Sequence, residues 1–195
     1  ALPFIFIEKL FRNRWNGVNG SVVEIITPVQ LAKDISGLWR YIQSSNPERM
    51  FSFRDREAIW WQFVNRSAQK RKPLVFAIRV EGKLYGYTIV TRADSPEIGL
   101  KRQMIVDLIV RDDDPDLINE LIKSVCLYAT RQKISMVQVI GFPRSVRSAL
   151  SKLRPFTRSL PYDRFSYYAV HPDLKIALDQ ETSWYASAFD GDSCI

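Results

Sequence analysis

The sequence contains few of the residues that build metal sites, disulfides and histidine-dependent hydrolases. Its 195 residues include one histidine, His171, and two cysteines, Cys126 and Cys194. Because a zinc site needs about four histidine, cysteine or acidic ligands in a close cluster, we expect no metal site. Two cysteines so far apart indicate no disulfide framework and favour a reducing, cytoplasmic location. A single histidine also disfavours a Ser-His-Asp or Cys-His hydrolase, unless His171 itself is the base.

Long apolar runs are missing as well. A helix that crosses a bilayer needs about 20 consecutive apolar residues, whereas the apolar N-terminal stretch ends at Glu8 and Lys9. The sequence therefore predicts no membrane span. Apolar residues make up 46% of the chain and charged residues 25%, which is typical of a globular domain long enough to bury a sizeable core.

Positive charge is in modest excess. Lysines and arginines number 28 against 21 acidic residues, which gives a net charge of +7. Such an excess favours anionic partners, among them nucleic acid. Part of it comes from the run Lys70-Arg71-Lys72 in a predicted loop, and a solvated loop accounts for such a run more often than a binding patch does. The sequence also lacks the interleaved arginines and aromatic residues that are typical of nucleic-acid binding.

The most informative stretch covers residues 104–131. Residues 104–110 are apolar apart from Asp107, a pattern typical of a strand covered on both faces. Asp114 precedes Pro115, which predicts a helix capped by the Asp114 carboxylate. The apolar stripe of that helix consists of Leu117, Ile118, Leu121, Ile122, Val125, Tyr128 and Ala129. A strand that runs into a helix N-terminus is a common place for a phosphorylated cofactor.

The rest of the chain predicts further strands and helices. Strands are expected at residues 22–26, 74–80, 84–91, 136–140 and 165–170, with a hairpin turn at Glu81-Gly82-Lys83. A helix after Thr27-Pro28 would bury Leu31, Ile35, Leu38 and Ile42. A helix over residues 54–69 would bury Ile59, Trp60, Phe63 and Val64, and one capped by Ser145 would bury Val146, Ala149, Leu150 and Leu153. Residues 171–195 look mostly irregular. These elements predict one α/β domain with a mixed, mostly antiparallel central sheet flanked by helices.

The order of these elements, with Asp107-Leu108-Ile109-Val110 before the central helix, resembles the GNAT superfamily of N-acyltransferases. The resemblance covers about residues 22–170. Residues 149–156 are similar to the segment of that fold in which a helix ends before the closing strands. Trp184-Tyr185 with Asp190-Gly191-Asp192 is similar to the terminus of some bacterial members. The resemblance implies an N-terminal extension at 1–20, a GNAT-like acyltransferase domain at 21–170, and a C-terminal tail at 171–195 that packs on the domain or extends it.

In that family the fourth strand parts from the fifth, and the gap receives the pantetheine arm of acetyl-CoA. The resemblance therefore implies that backbone groups of the fourth strand bind the arm, and that the pyrophosphate lies on the turn and helix start at residues 111–117. Arginines near the next helix would add positive charge. The cofactor-binding residues that the resemblance implies are Leu108, Ile109, Val110, Arg111, Asp113, Leu117, Arg144 and Arg147.

The turn at residues 111–117 departs from the family pattern. The pyrophosphate turn of the family contains glycines, which let backbone N–H groups approach the phosphates closely. Here the sequence is Arg111-Asp112-Asp113-Asp114-Pro115-Asp116-Leu117, with four carboxylates and no glycine. Carboxylates repel a diphosphate, and proline supplies no N–H. Loss of acyl-CoA binding is therefore an alternative that the sequence leaves open.

Acyl transfer to an amine needs a group that accepts the amine proton and an acid for the departing thiolate. Asp107 is the leading candidate for the base, because burial in an apolar strand raises the pKa of a carboxyl group. Its structural alternative is a carboxylate bound to backbone donors or to an arginine. Glu57 on the second helix is another candidate, and a solvated helix face is its alternative. Tyr167 is the candidate acid, with Tyr162 and Tyr168 nearby, and all three suit core or edge positions equally well.

Three functions remain open on the sequence alone. The first is an N-acetyltransferase that transfers an acyl group from acetyl-CoA, or from another acyl-CoA, to a primary amine of a small molecule or protein. The second is a GNAT-shaped interaction or regulatory domain without catalysis, which the acidic turn favours. The third is a basic nucleic-acid-binding protein, which rests on the net charge of +7. Loops and the first two helices build acceptor sites in this fold, so residue types do not identify the acceptor.

Overall fold

The structure, a computed structural model, describes residues 21–64, 71–157 and 169–190, in which three consecutive strands lie between two helix-containing halves. In chain order the elements are β1 (Ser21–Ile26), α1 (Pro28–Ser45), β2 (Met50–Phe51), α2 (Arg56–Phe63), β3 (Leu74–Val80), β4 (Lys83–Arg92), β5 (Arg102–Val110), α3 (Pro115–Arg131), β6 (Met136–Val139), α4 (Arg144–Ser151), α5 (Pro172–Leu178) and β7 (Trp184–Tyr185). Short 3-10 helices lie at Pro96–Ile98, Arg111–Asp113, Glu181–Ser183 and Ala188–Asp190.

Five strands form one mixed sheet in the order β1-β3-β4-β5-β6. The neighbours β1 and β3, β3 and β4, and β4 and β5 are antiparallel, whereas β5 and β6 are parallel. The parallel pair is joined by the crossover helix α3, as a parallel connection requires. The predicted α/β domain with a mostly antiparallel sheet is confirmed. β2 and β7 form a separate parallel pair.

Helices cover both faces of the sheet. α1 and α2 pack on one face together with Tyr185 and Phe189, and α3 and α4 pack on the other. The predicted inward stripe of α1 is confirmed, because its four residues are at most 3% exposed. The stripe of α3 is confirmed as well, with six of its residues at most 4% exposed. Burial of each such aliphatic side chain contributes about 1.5–3 kcal/mol, so these two helices fix the layers of the domain.

Polar caps fix where the helices begin. Thr27 and Gln30 form a capping box at α1: the Thr27 hydroxyl accepts from the Gln30 N–H at 3.2 Å, and the Gln30 side chain accepts from the Thr27 N–H at 2.8 Å. This start was predicted. The prediction that Ser145 caps α4 is wrong, because Pro143 holds the cap position and the buried Ser145 hydroxyl has no hydrogen-bond partner among the described residues.

The second helix is shorter than predicted. Its periodicity predicted a helix from residue 54, but the Asp55 carboxylate accepts from the Ala58 N–H at 2.9 Å, so α2 begins after this cap. Arg54 lies outside the helix and is fully buried. Ile59 and Phe63 face the core as predicted, whereas Trp60 is 48% exposed. The prediction for Trp60 is therefore wrong.

The C-terminal tail contains regular elements that the sequence did not predict. α5 and β7 lie within residues 171–195, which were expected to be mostly irregular. Val170, the last residue of the predicted strand at 165–170, is outside any strand and 86% exposed. The other predicted positions at 65–69 and 165–168 lie outside the described residues.

No helix among the described residues combines the length and apolar character needed to cross a membrane.

The hairpin between β3 and β4 brings β4 close to the end of β5. Glu81 and Gly82 form its turn with φ values of 50° and 75°, as a two-residue type I′ turn requires. This predicted hairpin is confirmed. Further along β4, Gly86 lies opposite Val110, and a Cβ atom on Gly86 would lie 2.8 Å from the Ile109 carbonyl oxygen.

We expect Gly86→Ala to lower the free energy of unfolding by about 1–3 kcal/mol, because the added methyl group overlaps the β5 backbone. Urea denaturation followed by circular dichroism measures the change. Gly37→Ala is the matched control in α1, where a Cβ atom meets nothing within 4 Å. It should raise stability by about 1 kcal/mol, since alanine favours a helix over glycine. Equal effects of the two substitutions would contradict the close approach of β4 and β5.

Candidate functional site

β5 and β6 pair along only part of their length. The pairing begins at Arg102 and ends with Ile105 opposite Val139. β6 stops there, whereas β5 continues to Val110. Residues 106–110 therefore extend beyond β6 without a strand partner on that side, and we call the position beside them the gap.

A β-bulge lies at the point where the strands part. In the pairing with β4, Ile89 lies opposite Asp107 and Val90 lies opposite Ile105. Val106 is therefore an extra residue on β5. Such a bulge bends its strand and increases the local twist, which accounts for the divergence of β5 from β6.

Residues 184–190, which we term the closing segment, lie across this gap. On the β6 side, Ser187 forms an isolated antiparallel bridge with Gly141. The Phe142 N–H also donates to the Ala186 carbonyl oxygen at 3.1 Å. These contacts attach the closing segment to the chain that follows β6.

On the β5 side, Tyr185 joins the closing segment to the strand edge. Its hydroxyl donates to the Leu108 carbonyl oxygen. Its ring stacks on Phe51 with centroids 5.3 Å apart, and the Arg49 guanidinium lies 4.8 Å from its centroid. The Leu108 carbonyl therefore faces the gap and is already bound there.

Asp107 lies in a buried charge network. Both of its carboxylate oxygens lie 3.2 Å from Arg54 Nε, and both side chains are 0% exposed. The Tyr87 hydroxyl donates to the same carboxylate at 2.7 Å and the Ser187 hydroxyl at 3.0 Å. Asp107 therefore has the arrangement of a structural carboxylate bound to an arginine.

Asp190 is the second carboxylate of the network. It accepts from Arg54 Nη2 at 2.8 and 3.0 Å and from the Ser187 N–H at 2.8 Å. The Ser52 hydroxyl also donates to it. The remaining guanidinium nitrogen of Arg54, Nη1, donates to the Ser52 carbonyl oxygen at 2.9 Å. One arginine thus links β5, the loop before α2 and the closing segment.

Burial and the ion pair set the protonation states in this network. Burial raises the pKa of Asp107 above its ordinary value, while Arg54 and the Tyr87 hydroxyl act in the opposite direction. Burial alone would lower the pKa of Arg54, but Asp107 and Asp190 raise it above its ordinary value. Burial also raises the pKa of Tyr87 and of Tyr185 well above 10. At neutral pH Arg54 is therefore a cation and both tyrosines are hydroxyl donors, which supports a charged Asp107.

The acidic turn between β5 and α3 is held by aromatic residues of two other elements. The Arg111 guanidinium lies between the rings of Tyr41 and Tyr85, 3.6 and 4.5 Å from their centroids. The Tyr41 hydroxyl donates to Asp112 at 2.9 Å. Stacked cation–π contacts of this kind fix the guanidinium plane, so the turn has a defined position relative to α1 and β4.

The other two carboxylates of the turn are also bound. Asp113 forms an ion pair with Arg49 at 2.8 Å. Asp114 accepts from the N–H groups of Asp116 at 2.8 Å and Leu117 at 3.3 Å, which confirms the predicted cap. The start of α3, where an anionic ligand would bind, is therefore occupied by a carboxylate of the chain itself.

A cavity of about 650 Å³ opens beside the acidic turn. The end of α1, the start of α4 and the turn Glu181–Ser183 form its other walls. Arg144 in this wall is exposed and makes no ion pair within the described ranges. Arg147, in contrast, binds Glu181 and donates to the Phe142 carbonyl oxygen at 2.7 Å. Arg144 is therefore the cation in this wall that is available to a ligand.

The structure brings some of the predicted site residues together and separates others. Asp113 and Arg144 line the cavity, with Arg111 in the same turn and Arg147 on the same helix as Arg144. Leu108, Ile109 and Val110 are buried beside the gap, and Leu117 is buried in α3.

The candidate catalytic residues do not share one site. Glu57 is exposed on the first turn of α2, beside Trp60 and Trp61 at a second cavity of about 640 Å³. Asp107 is buried in the charge network, and Tyr167 lies outside the described residues.

Sequence patterns missed the partners of Asp107. The sequence did not identify the residues that bind Asp107, which are Arg54, Tyr87 and Ser187, or Asp190, which binds Arg54. One local signal for Arg54 was available in the sequence. Asp55 is a helix cap, which places Arg54 before the helix and free to bind elsewhere.

Solved structures that are similar to this chain include several acetyltransferases. An aminoglycoside acetyltransferase from an uncultured soil metagenomic sample, solved with trehalose, has a TM-score of 0.55 and 20% identity over 78% of this chain and 98% of its own. A ribosomal-protein-alanine N-acetyltransferase from Brucella melitensis biovar Abortus 2308 has a TM-score of 0.52 and 15% identity over 76% and 99%. A predicted acetyltransferase from Clostridium acetobutylicum, solved with acetyl-CoA, has a TM-score of 0.54 and 12% identity over 75% and 96%. The chain has the GNAT fold.

At identities of 20% or less, this similarity establishes the GNAT fold and not the activity. No protein-family model matches the chain, and no curated protein matches it. Because β2 is not part of the main sheet, β5 and β6 of this chain correspond to the fourth and fifth strands of the GNAT fold. Their parting, which the resemblance implied, is confirmed by the pairing that stops at Ile105 and Val139.

We expect Asp107→Asn to lower the free energy of unfolding at pH 7 by about 3 kcal/mol, because it removes the charge opposite buried Arg54. Urea denaturation measures the loss. Asp94→Asn is the matched control, since Asp94 pairs with Arg92 at 2.7 Å but is 38% exposed. Its loss should stay below about 1 kcal/mol. Similar losses for the two variants would contradict a buried ion pair at Asp107.

Proposed function

We propose that the chain is a GNAT-type N-acyltransferase that transfers an acyl group from acetyl-CoA, or from another acyl-CoA, to a primary amine. The observation that carries the proposal is the parting of β5 and β6 beyond Ile105 and Val139. It leaves residues 106–110 of β5 without a strand partner on the β6 side. A strand edge of this kind binds extended amide chains through strand-like hydrogen bonds, and the pantetheine arm of CoA is such a chain.

The residues around the gap fit the arm and the phosphates of an acyl-CoA. The Leu108 carbonyl faces the gap, because it accepts from Tyr185 across it, and the same oxygen suits an amide N–H. Arg49 and Arg144 lie in the wall of the cavity at the end of the gap. Guanidinium groups bind phosphate oxygens through paired, charge-assisted hydrogen bonds.

The acidic turn does not present free carboxylates to the phosphates. Asp112 is bound by Tyr41, Asp113 by Arg49, and Asp114 by the first N–H groups of α3. Each contact reduces the negative potential that the carboxylate projects into the cavity. The proposal therefore assigns phosphate binding to arginine side chains and not to the start of α3.

The proposed acceptor is an amine-bearing molecule. The soil-metagenome aminoglycoside acetyltransferase was also solved in complex with sisomicin. That structure matches this chain with 18% sequence identity. In the acyltransferase that we propose, Asp107 holds Arg54 and the closing segment and does not accept the amine proton, since its carboxylate is fully buried. The roles of Glu57 and Tyr167 stay predictions.

A second candidate function is a GNAT-shaped interaction domain without catalysis. Two observations favour it. The Asp114 carboxylate accepts from the first N–H groups of α3, and the Tyr185 hydroxyl donates to the Leu108 carbonyl oxygen. Both groups fill positions at which an acyl-CoA would bind. Binding experiments with the cofactor separate the two functions.

Calorimetric titration with acetyl-CoA at low salt tests the acyltransferase proposal. We expect the wild-type chain to bind, and Arg144→Glu to weaken binding about tenfold or more, because it removes a charge-assisted contact of about 1.5–3 kcal/mol. Lys101→Glu is the matched control. It makes the same charge change just before β5, at the end opposite the acidic turn, and should alter affinity less than about twofold.

Absence of heat at millimolar acetyl-CoA with both the wild-type chain and Tyr185→Phe, which frees the Leu108 carbonyl, together with unchanged melting temperatures, would contradict the acyltransferase and favour the interaction domain. Equal weakening by both charge reversals would contradict the assignment of Arg144, and would indicate that only the overall charge matters.

A further inference from the structure

We propose that the closing segment, residues 184–190, must leave the edge of β5 before an acyl-CoA binds, and that Arg54 and Asp190 hold it in the closed position. The inference rests on the proposed acyltransferase function, because it concerns how the groove for that cofactor opens. In the structure, Tyr185 lies where the pantetheine arm would pass. The arm and Tyr185 therefore compete for the Leu108 carbonyl.

The side chain of Tyr185 fills the space beside the strand edge. It is 3% exposed, its ring stacks on Phe51, and its hydroxyl is bound to Leu108. A hydrogen-bonded and stacked ring leaves no room for a second extended chain at the same carbonyl. The closed position and the cofactor-bound position exclude each other for this reason.

The network around Asp190 attaches the far end of the closing segment. Asp190 accepts from Arg54 at 2.8 Å and from the Ser187 N–H at 2.8 Å, and the Ser52 hydroxyl also donates to it. Arg54 is bound in turn to Asp107 on β5. The segment is therefore held by charged hydrogen bonds to the same strand whose edge Tyr185 covers.

The backbone of the closing segment is attached at several separate points, among them the Phe189 carbonyl oxygen, which accepts from Gln62 Nε2 at 3.2 Å. β7 pairs with β2 through two residues on each strand, and β2 is not part of the main sheet. Towards β6 the segment has the bridge between Gly141 and Ser187 and the hydrogen bond from Phe142 to Ala186. Short pairings outside the main sheet open as local units, and exposure of Tyr185, Ala188 and Phe189, which are at most 7% exposed in the closed position, adds to the free energy of opening. A ligand that binds only the open form has an affinity reduced in proportion to the open fraction.

Two substitutions release the closing segment at different points. Tyr185→Phe removes the hydroxyl that binds Leu108 and keeps the ring. Asp190→Asn removes the negative charge that binds Arg54. Tyr128→Phe is the matched control on α3, because the Tyr128 ring packs against Phe76 and its hydroxyl forms no hydrogen bond with a described residue.

Calorimetry with acetyl-CoA is the first measurement. We expect the affinity to rise about fivefold in Tyr185→Phe, as loss of one competing hydrogen bond predicts. A rise of at least this size is expected in Asp190→Asn, since a bond to a charged group is stronger. Tyr128→Phe should bind acetyl-CoA as the wild-type chain does.

Hydrogen–deuterium exchange without ligand is the second measurement. The Phe142 N–H donates to Ala186 and the Ser187 N–H donates to Asp190, so both amides report opening of the closing segment. Exchange at Phe142 should be about tenfold faster in Asp190→Asn than in the wild-type chain. Exchange at both amides should be faster in Tyr185→Phe, in which the acceptor of the Ser187 N–H is unchanged. Exchange at Val125 in α3 is the internal reference and should not change.

The outcomes separate this inference from the function on which it rests. If the wild-type chain binds acetyl-CoA and both variants exchange faster without binding more tightly, the competition is overturned and the acyltransferase stands. If Asp190→Asn exchanges as slowly as the wild-type chain, the role of Arg54 and Asp190 is overturned. If neither the wild-type chain nor Tyr185→Phe binds acetyl-CoA at millimolar concentration, the acyltransferase itself is overturned.

Discussion

The ion pair between Arg54 and Asp107 is the interaction on which the arrangement of the site depends. Transfer of one charge from water into a protein interior costs on the order of several kcal/mol even after relaxation. A buried ion pair is therefore stable only where its remaining hydrogen-bonding groups also have partners. Here Tyr87 and Ser187 donate to Asp107, and Asp190 and the Ser52 carbonyl accept from Arg54. Because these partners come from separate parts of the chain, one guanidinium fixes the loop before α2, β5 and the closing segment relative to one another.

The bulge at Val106 lies where β5 loses its strand partner on the β6 side. Buried backbone groups require hydrogen-bond partners, and the divergence of β5 from β6 removes strand partners beyond Ile105. The Tyr185 hydroxyl supplies a partner for Leu108 in the closed position. The same requirement makes the edge suitable for an extended ligand once Tyr185 has moved. In the acyltransferase that we propose, the closed structure and the ligand-bound form are two occupations of one edge, and the free-energy difference between them decides which is populated.

Features that depend on neighbours in sequence were predictable, and the charge network was not. The stripes of α1 and α3 and the turn at Glu81 and Gly82 follow from residues a few positions apart. Arg54 and Asp107, in contrast, are 53 residues apart, and Arg54 and Asp190 are 136 residues apart. The apolar strand around Asp107 indicated that this carboxylate needs a partner, but no local pattern identifies a partner so distant in the chain. The predicted start of α2 was wrong for a different, local reason, since the Asp55 cap begins the helix after Arg54.

Two aspartates of the acidic turn have the left-handed backbone conformation that glycine adopts most easily. Asp112 and Asp113 have φ values of 57° and 49°, a region that glycine occupies freely and that aspartate tolerates better than most residues. Asp114 then fills the start of α3, so an anion gains little from the helix N–H groups. In the acyltransferase that we propose, phosphate recognition in this cavity therefore depends on the Arg144 guanidinium, since Arg49 is already paired with Asp113, and the attraction of Arg144 is screened by salt. Under that proposal, affinity for an anionic ligand depends on the exposed Arg144, whereas stability of the turn depends on the bound aspartates.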